Sequence, residues 1–105
     1  MKRKIILSKL SSKKLSSLLE YLEQEWSLKV KNNFIKKLEN SLELIKDFPA
    51  SAEKSLIKKN VHKLNITKQT AIYYIYDSKS IKILTIFDNR MDTKNLEKEL
   101  KNDPF

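Results

Sequence analysis

The stretch NVHKLNITKQTAIYYIYDSKSIKILTIF, residues 60–87, decides the fold. Leu64 and Ile66 alternate with polar positions, and AIYYIY (71–76) is rich in strand formers. SIKILTIF (80–87) is a further strand, apolar on both faces in its second half. The polar segments TKQT (67–70) and DSKS (77–80) between them are short, so neighbouring strands run antiparallel. The three strands therefore form a meander.

Upstream the period changes. Leu15, Leu18, Leu19, Leu22 and Trp26 recur at helical spacing, with Lys13, Glu20 and Gln24 on the opposite face. Ser11 or Ser12 stands where an N-cap oxygen is needed, and Trp26 is expected to anchor the core from the helix end. After a break near Ser27, Val30, Phe34, Leu38, Leu42, Ile45 and Phe48 mark a second stripe. Pro49 closes it, because a residue before proline is pushed out of helical geometry. Residues 11–48 thus read as two antiparallel helices, and residues 49–59 as a basic loop or short extra element. Ile5–Leu7 form a strand too short to stand alone, so it joins the sheet. Residues 93–101 read as a terminal helix with Leu96 and Leu100 inward. The predicted fold is α+β, one domain over 1–105. It comprises an N-terminal strand, a helical hairpin, a three-stranded antiparallel meander completing one small sheet and a short C-terminal helix, with the helices on one face.

The net charge of +9 is unevenly placed. Lys2, Arg3, Lys4, Lys9, Lys13 and Lys14 lie in residues 1–19 with no acid among them. Lys54, Lys58, Lys59, Lys63 and Lys68 lie in residues 54–76, again with no acid. If the two segments meet, they make one basic face that draws in nucleic acid or an acidic partner. The plainer alternative is a solvated lysine surface that keeps the chain soluble. The chain has no cysteine, no secretory leader pattern and no apolar run of membrane-spanning length, which points to the cytoplasm. It has no glycine either, which excludes every glycine-rich phosphate loop and leaves the turns to Asn, Asp, Ser, Lys and Pro.

Conventional catalytic groups are scarce. His62 is the one histidine and lies in phase with Leu64 and Ile66, as a partly buried strand residue would. Glu23 with Glu25 and Glu97 with Glu99 are carboxylate pairs on helix surfaces. Tyr73, Tyr74 and Tyr76 suit cross-strand packing, with base stacking as the alternative. The informative residue is in IFDNRMDTKNL, residues 86–96. Among twenty lysines and two arginines, one arginine, Arg90, sits where a strand runs out into polar groups. A guanidinium grips a carboxylate or phosphate at two points, which lysine cannot do. Arg90 either makes a structural ion pair with Asp88 or Asp92, or marks a functional site.

Several segments carry a resemblance. LLEYLEQEWS in the first helix, FIKKLENSLELIKDFP in the second, VHKLNITKQTAIYYIY in the strand pair and ILTIFDNRMD at the last strand together resemble the RelE/ParE superfamily of toxins from type II toxin–antitoxin pairs. The likeness runs from about Ile5 to Leu96. Tyr21, Leu22 and Trp26 match the family's first helix, and Pro49 its closing proline. His62 and Lys63 match a basic pair, and Arg90 with Asp92 an arginine–aspartate element. Ser11 and Thr93 depart from the usual alanine and proline, and the glycine common after the closing proline is absent.

The resemblance implies a toxin, a cognate antitoxin that is acidic and partly disordered, a toxin–antitoxin hetero-oligomer, and no cofactor or metal. ParE-like members poison DNA gyrase without cutting nucleic acid, and the long second helix favours that branch. RelE-like members cut mRNA on the ribosome. Carried over, their cations would be Lys58, Lys59, Lys63 and Arg90, but no tyrosine or histidine follows Arg90 as proton carrier. Target or antitoxin contacts would fall on Lys54, Lys58, Lys59, Lys63, Lys68 and Arg90. A non-toxic basic binding module is the remaining reading.

Overall fold

The computed structural model describes residues 2–102. Its elements are β1 (Lys4–Leu7), α1 (Lys9–Glu25), α2 (Leu28–Asp47), β2 (Glu53–Lys54), β3 (His62–Asn65), β4 (Thr70–Tyr76), β5 (Ser80–Asp88) and α3 (Thr93–Lys101). The α+β order and the meander stand as the sequence predicts. The segment 49–59 contributes a two-residue strand, β2. The sheet order is β1-β5-β4-β3-β2, with β1 parallel to β5 and the other pairs antiparallel.

The sheet is covered on both faces, which corrects the expectation of helices on one side. On the hairpin face Phe34, Leu38 and Ile45 of α2 pack against Ile72, Tyr74 and Ile83, with the leucines of α1 behind them. On the other face α3 inserts Leu96 and Leu100 among Val61, Ala71, Tyr73, Leu84 and Phe87. The reason is the second half of β5, which is apolar in both directions and needs cover on both. A β-bulge serves this: Tyr73 pairs with Thr85 but Tyr74 with Ile83, leaving Leu84 as the extra residue. Ile83 and Ile86 then serve the hairpin core while Leu84 and Phe87 serve the α3 core. Burying Leu96 and Leu100 stabilises by about 1.5–3 kcal/mol each. A helix of nine residues needs that anchorage, since one so short does not persist by itself in water.

The first helix begins earlier than expected. Ser8, not Ser11 or Ser12, is its N-cap and accepts from the Ser11 amide at 2.9 Å. Ser11 is drawn inward because β1 ends where the edge of β5 is still open. Ser8 N–H and Ser11 Oγ both donate to the Ile83 carbonyl (3.1 and 2.9 Å), and Ser8 Oγ donates to the Leu84 carbonyl at 2.8 Å. Two serines thus take over the ladder that β1 leaves unfinished. Turns without glycine are made by side chains. Asp77 Oδ1 accepts from the Lys79 and Ser80 amides at 2.8 Å each, and Thr67 Oγ1 accepts from Gln69 and Thr70. Asn60 supplies the left-handed residue at φ 67°.

Candidate functional site

The two arginines have different surroundings. Arg3 is a tie: Nε donates to the Asp77 carbonyl at 2.6 Å and Nη1 to the Lys46 carbonyl at 3.3 Å, and its guanidinium lies over the Tyr76 ring. It pins the N-terminus to the β4–β5 turn and the end of α2. Arg90 lies two residues past the end of β5 and is held in two-point fashion by Asp88, the strand's last residue. Its Nε donates to Oδ1 at 3.0 Å and its Nη2 to Oδ2 at 2.7 Å, while its own amide also donates to Oδ1 at 2.9 Å. The guanidinium beside Asp88 holds that carboxyl below the usual carboxylate range. Asp92 has another task, as N-cap of α3 accepting from the Lys94 amide at 2.9 Å. The ion pair is therefore with Asp88. Yet the Arg90 side chain remains 68% exposed, so pairing orients the group without hiding it.

Asn89 fixes the neighbourhood. Its amide donates to the Gln69 carbonyl at 2.7 Å, and its Nδ2 reaches Asn65 Oδ1 (3.1 Å) and the Lys68 carbonyl (3.2 Å). The β3–β4 turn is thereby fastened to the end of β5, and Lys68 and Arg90 come to line one groove.

That groove, of about 1160 Å³, runs between the helical hairpin and this end of the sheet. Leu18, Leu22, Phe34 and Ile86 form an apolar lining, and Tyr21 and Trp26 stand along it. Lys13, Lys14, Lys37, Lys68 and Arg90 are its cations. Among the described residues Asp88 is the one carboxylate that lines it, and Arg90 already engages that group. Lys14 is partly committed elsewhere. Its ammonium lies 2.7 and 2.9 Å from the two Glu99 oxygens, and Thr85 Oγ1 donates to Glu99 at 2.6 Å. This clasp joins α1, β5 and α3 around the open edge of the sheet.

Trp26 is a correction to the sequence reading, for it is 69% exposed rather than a core anchor. It stands at the C-cap of α1, on the wall of the groove. Tyr21, 52% exposed, and Lys13, Lys14 and Lys37 were also outside the predicted site. A signal for the three on α1 existed: Lys13, Ser17 and Tyr21 recur every four residues, beside the parallel row Lys14, Leu18, Leu22.

The other expected cations do not gather with Arg90. Lys58 Nζ donates to the Leu100 carbonyl at 2.7 Å, at the far end of α3 from Arg90. Lys63 pairs in register with Tyr73, on the α3 face, whereas Lys54 pairs with His62, on the hairpin face. Lys59 is exposed in the loop between β2 and β3. His62 is buried; its Nδ1 lies 3.1 Å from the Ala52 carbonyl, which can only accept, and its ring stacks on Tyr74. Tyr73 and Tyr74 are buried as packing residues, and the Tyr74 hydroxyl donates to the Pro49 carbonyl at 2.6 Å. No cluster of three or more His, Asp or Glu among the described residues could hold a metal, and no described helix is long and apolar enough to cross a membrane.

Residues 5–93 match the family described as the ParE toxin of the type II toxin–antitoxin system parDE. No curated protein matches the sequence. Among solved structures, a chain of the chromosomal ParDE toxin–antitoxin system from P. aeruginosa superposes with a TM-score of 0.67 at 10% identity. The match covers 82% of this chain and 95% of that one, and at such identity it speaks for the fold alone.

Proposed function

The chain belongs to the ParE toxin family of type II toxin–antitoxin systems, and from that premise we propose that it arrests growth by poisoning DNA gyrase and is neutralised by a cognate acidic antitoxin. The observation that supports this branch over a ribosome-dependent nuclease is that Lys58 and Lys63, cations carried over from the nuclease members, do not gather with Arg90. A nuclease of this kind needs several cations, and a proton carrier, around one phosphate. Here Lys58 and Arg90 lie at opposite ends of α3, about 13 Å for nine residues. Lys63 shares the sheet face that α3 and Val61 cover. Arg90 serves as a contact group, with Asp88 as its positioning residue.

The antitoxin places apolar side chains in the groove and carboxylates against its cations. Its affinity falls with salt, and Lys68 with Arg90 carries more of that dependence than Lys58, whose ammonium is already bonded. Pulse-labelling of new DNA and new protein after induction without antitoxin tests the target. DNA synthesis is expected to stop first in wild type, and Arg90→Ala is expected to fold and lose most toxicity. Protein synthesis stopping first would return the nuclease reading.

A further inference from the structure

We infer that the groove between the helical hairpin and the sheet end binds single-stranded nucleic acid when no antitoxin occupies it. Bases stack on Tyr21 and Trp26, and phosphates sit on Lys13, Lys37, Lys68 and Arg90. The inference goes beyond the gyrase reading and does not depend on it.

Three features point the same way. First, two large aromatic side chains stand half or more exposed in one concave surface, at 52% and 69%. Tyr21 lies in the second half of α1 and Trp26 is that helix's C-cap, and both line the groove. Second, the charge around them is one-sided. Lys13, Lys37 and Lys68 make no ion pair among the described residues. The lining carboxylate, Asp88, is already engaged, so a strand of phosphates meets no competing anion. Third, Arg90 is pre-set: Asp88 fixes one edge of a planar group whose side chain is still 68% exposed, and Asn89 fixes Lys68 close by. A guanidinium so held suits a phosphate's paired oxygens. Stacking platforms flanked by cations bind unpaired strands with little regard to sequence. A duplex does not fit this surface, because its base faces are already stacked.

Trp26 is the only tryptophan of the chain, so its fluorescence reports directly on the groove. The full-length protein, without antitoxin, is titrated at low ionic strength with short oligothymidylate, oligouridylate, a duplex of similar length, and polyglutamate. Both single strands are expected to quench Trp26, with the duplex and polyglutamate at least about tenfold weaker. Either strand binding more tightly supports the inference and tells whether the natural ligand is DNA or RNA. Three uncompensated lysines give a slope of log affinity against log salt of about −2 for a single strand. Tyr21→Ala, an exposed substitution, is expected to weaken binding about tenfold, and Lys68→Ala to weaken it and flatten the slope. Circular dichroism checks that both variants fold. The inference is overturned if neither single strand quenches Trp26, or if Tyr21→Ala binds as wild type does. It is equally overturned if polyglutamate quenches as strongly as the oligonucleotides, which would make the groove a site for acidic peptides. Growth is read in none of these titrations, so failure here leaves the toxin reading standing, and the reverse.

Discussion

Removing the Glu99 carboxylate perturbs the clasp that holds α3 against the sheet. Glu99 accepts from two groups that differ in what becomes of them afterwards. Lys14 is 28% exposed on its side chain, so after Glu99→Ala its ammonium turns towards water, and its share of the loss is at most about 1 kcal/mol. The Thr85 hydroxyl is fully buried, and its remaining acceptor, the Ile86 carbonyl, lies at a long 3.4 Å. An unsatisfied buried donor costs about 1–3 kcal/mol. Glu99→Ala is therefore expected to cost about 2–3 kcal/mol, mostly through Thr85. Glu99→Gln keeps an acceptor for Thr85 and should cost about 1 kcal/mol. In a Thr85→Val background, where no hydroxyl is left behind, the Glu99→Ala cost should fall to about 1 kcal/mol. Urea unfolding followed by circular dichroism measures all four variants, with constant m-values as the check on two-state behaviour. If Glu99→Ala and Glu99→Gln are equally destabilised, or if Thr85→Val leaves the Ala cost unchanged, the buried hydroxyl is not the source of the loss and the reasoning is wrong.

Ser8→Ala removes both the N-cap of α1 and the donor to the Leu84 carbonyl, and should cost about 2 kcal/mol in the same urea assay. Ser11→Ala should cost less than half of that, because the Ile83 carbonyl keeps the Ser8 amide as donor. Burial pushes the Tyr74 hydroxyl up to about 12. Its stabilising share is complete below the ordinary value of 10.0 and is lost as pH rises from there through about 12, so alkaline unfolding should be shallower in Tyr74→Phe, measured by unfolding at stepped pH. Asp77 runs the other way: the Lys79 and Ser80 amides hold its carboxyl below the ordinary 3.8, so its share is present above that value and fades below it. Asp77→Asn should remove that part of the acid slope while keeping the turn, as judged by acid titration of the unfolding midpoint.

The site follows from a few side chains that fasten its walls. Without Asn89 the β3–β4 turn would not be tied to the end of β5, and Lys68 and Arg90 would not be fixed to one wall. Without the Ser8 and Ser11 bonds, α1 would not be seated on the open edge of β5, and Lys14 could not reach α3. The groove and the scaffold around it therefore depend on the same residues. Substitutions in this region need a stability measurement beside every functional one.

By itself, the sequence determined the elements. Period-two alternation over 60–87 and period-3.6 stripes before and after it report which backbone pairs locally, and those pairings survive in the fold. The inward positions of Leu96 and Leu100 were legible for the same reason. So was an ion pair for Arg90, though its partner was not. Asp88 and Asp92 are equally near in sequence, and the choice fell to Asp88 because α3 takes Asp92 as its cap. Only the tertiary structure decided that α3 crosses to the opposite face, since a bulge at Leu84 turns apolar side chains both ways. Only it decided that Trp26 is exposed, since a helical stripe shows which face is apolar but not which of its residues another element covers. Lys58 and Arg90 could not be separated in advance either: the length of α3 sets the span between them, and its docking sets where each end points.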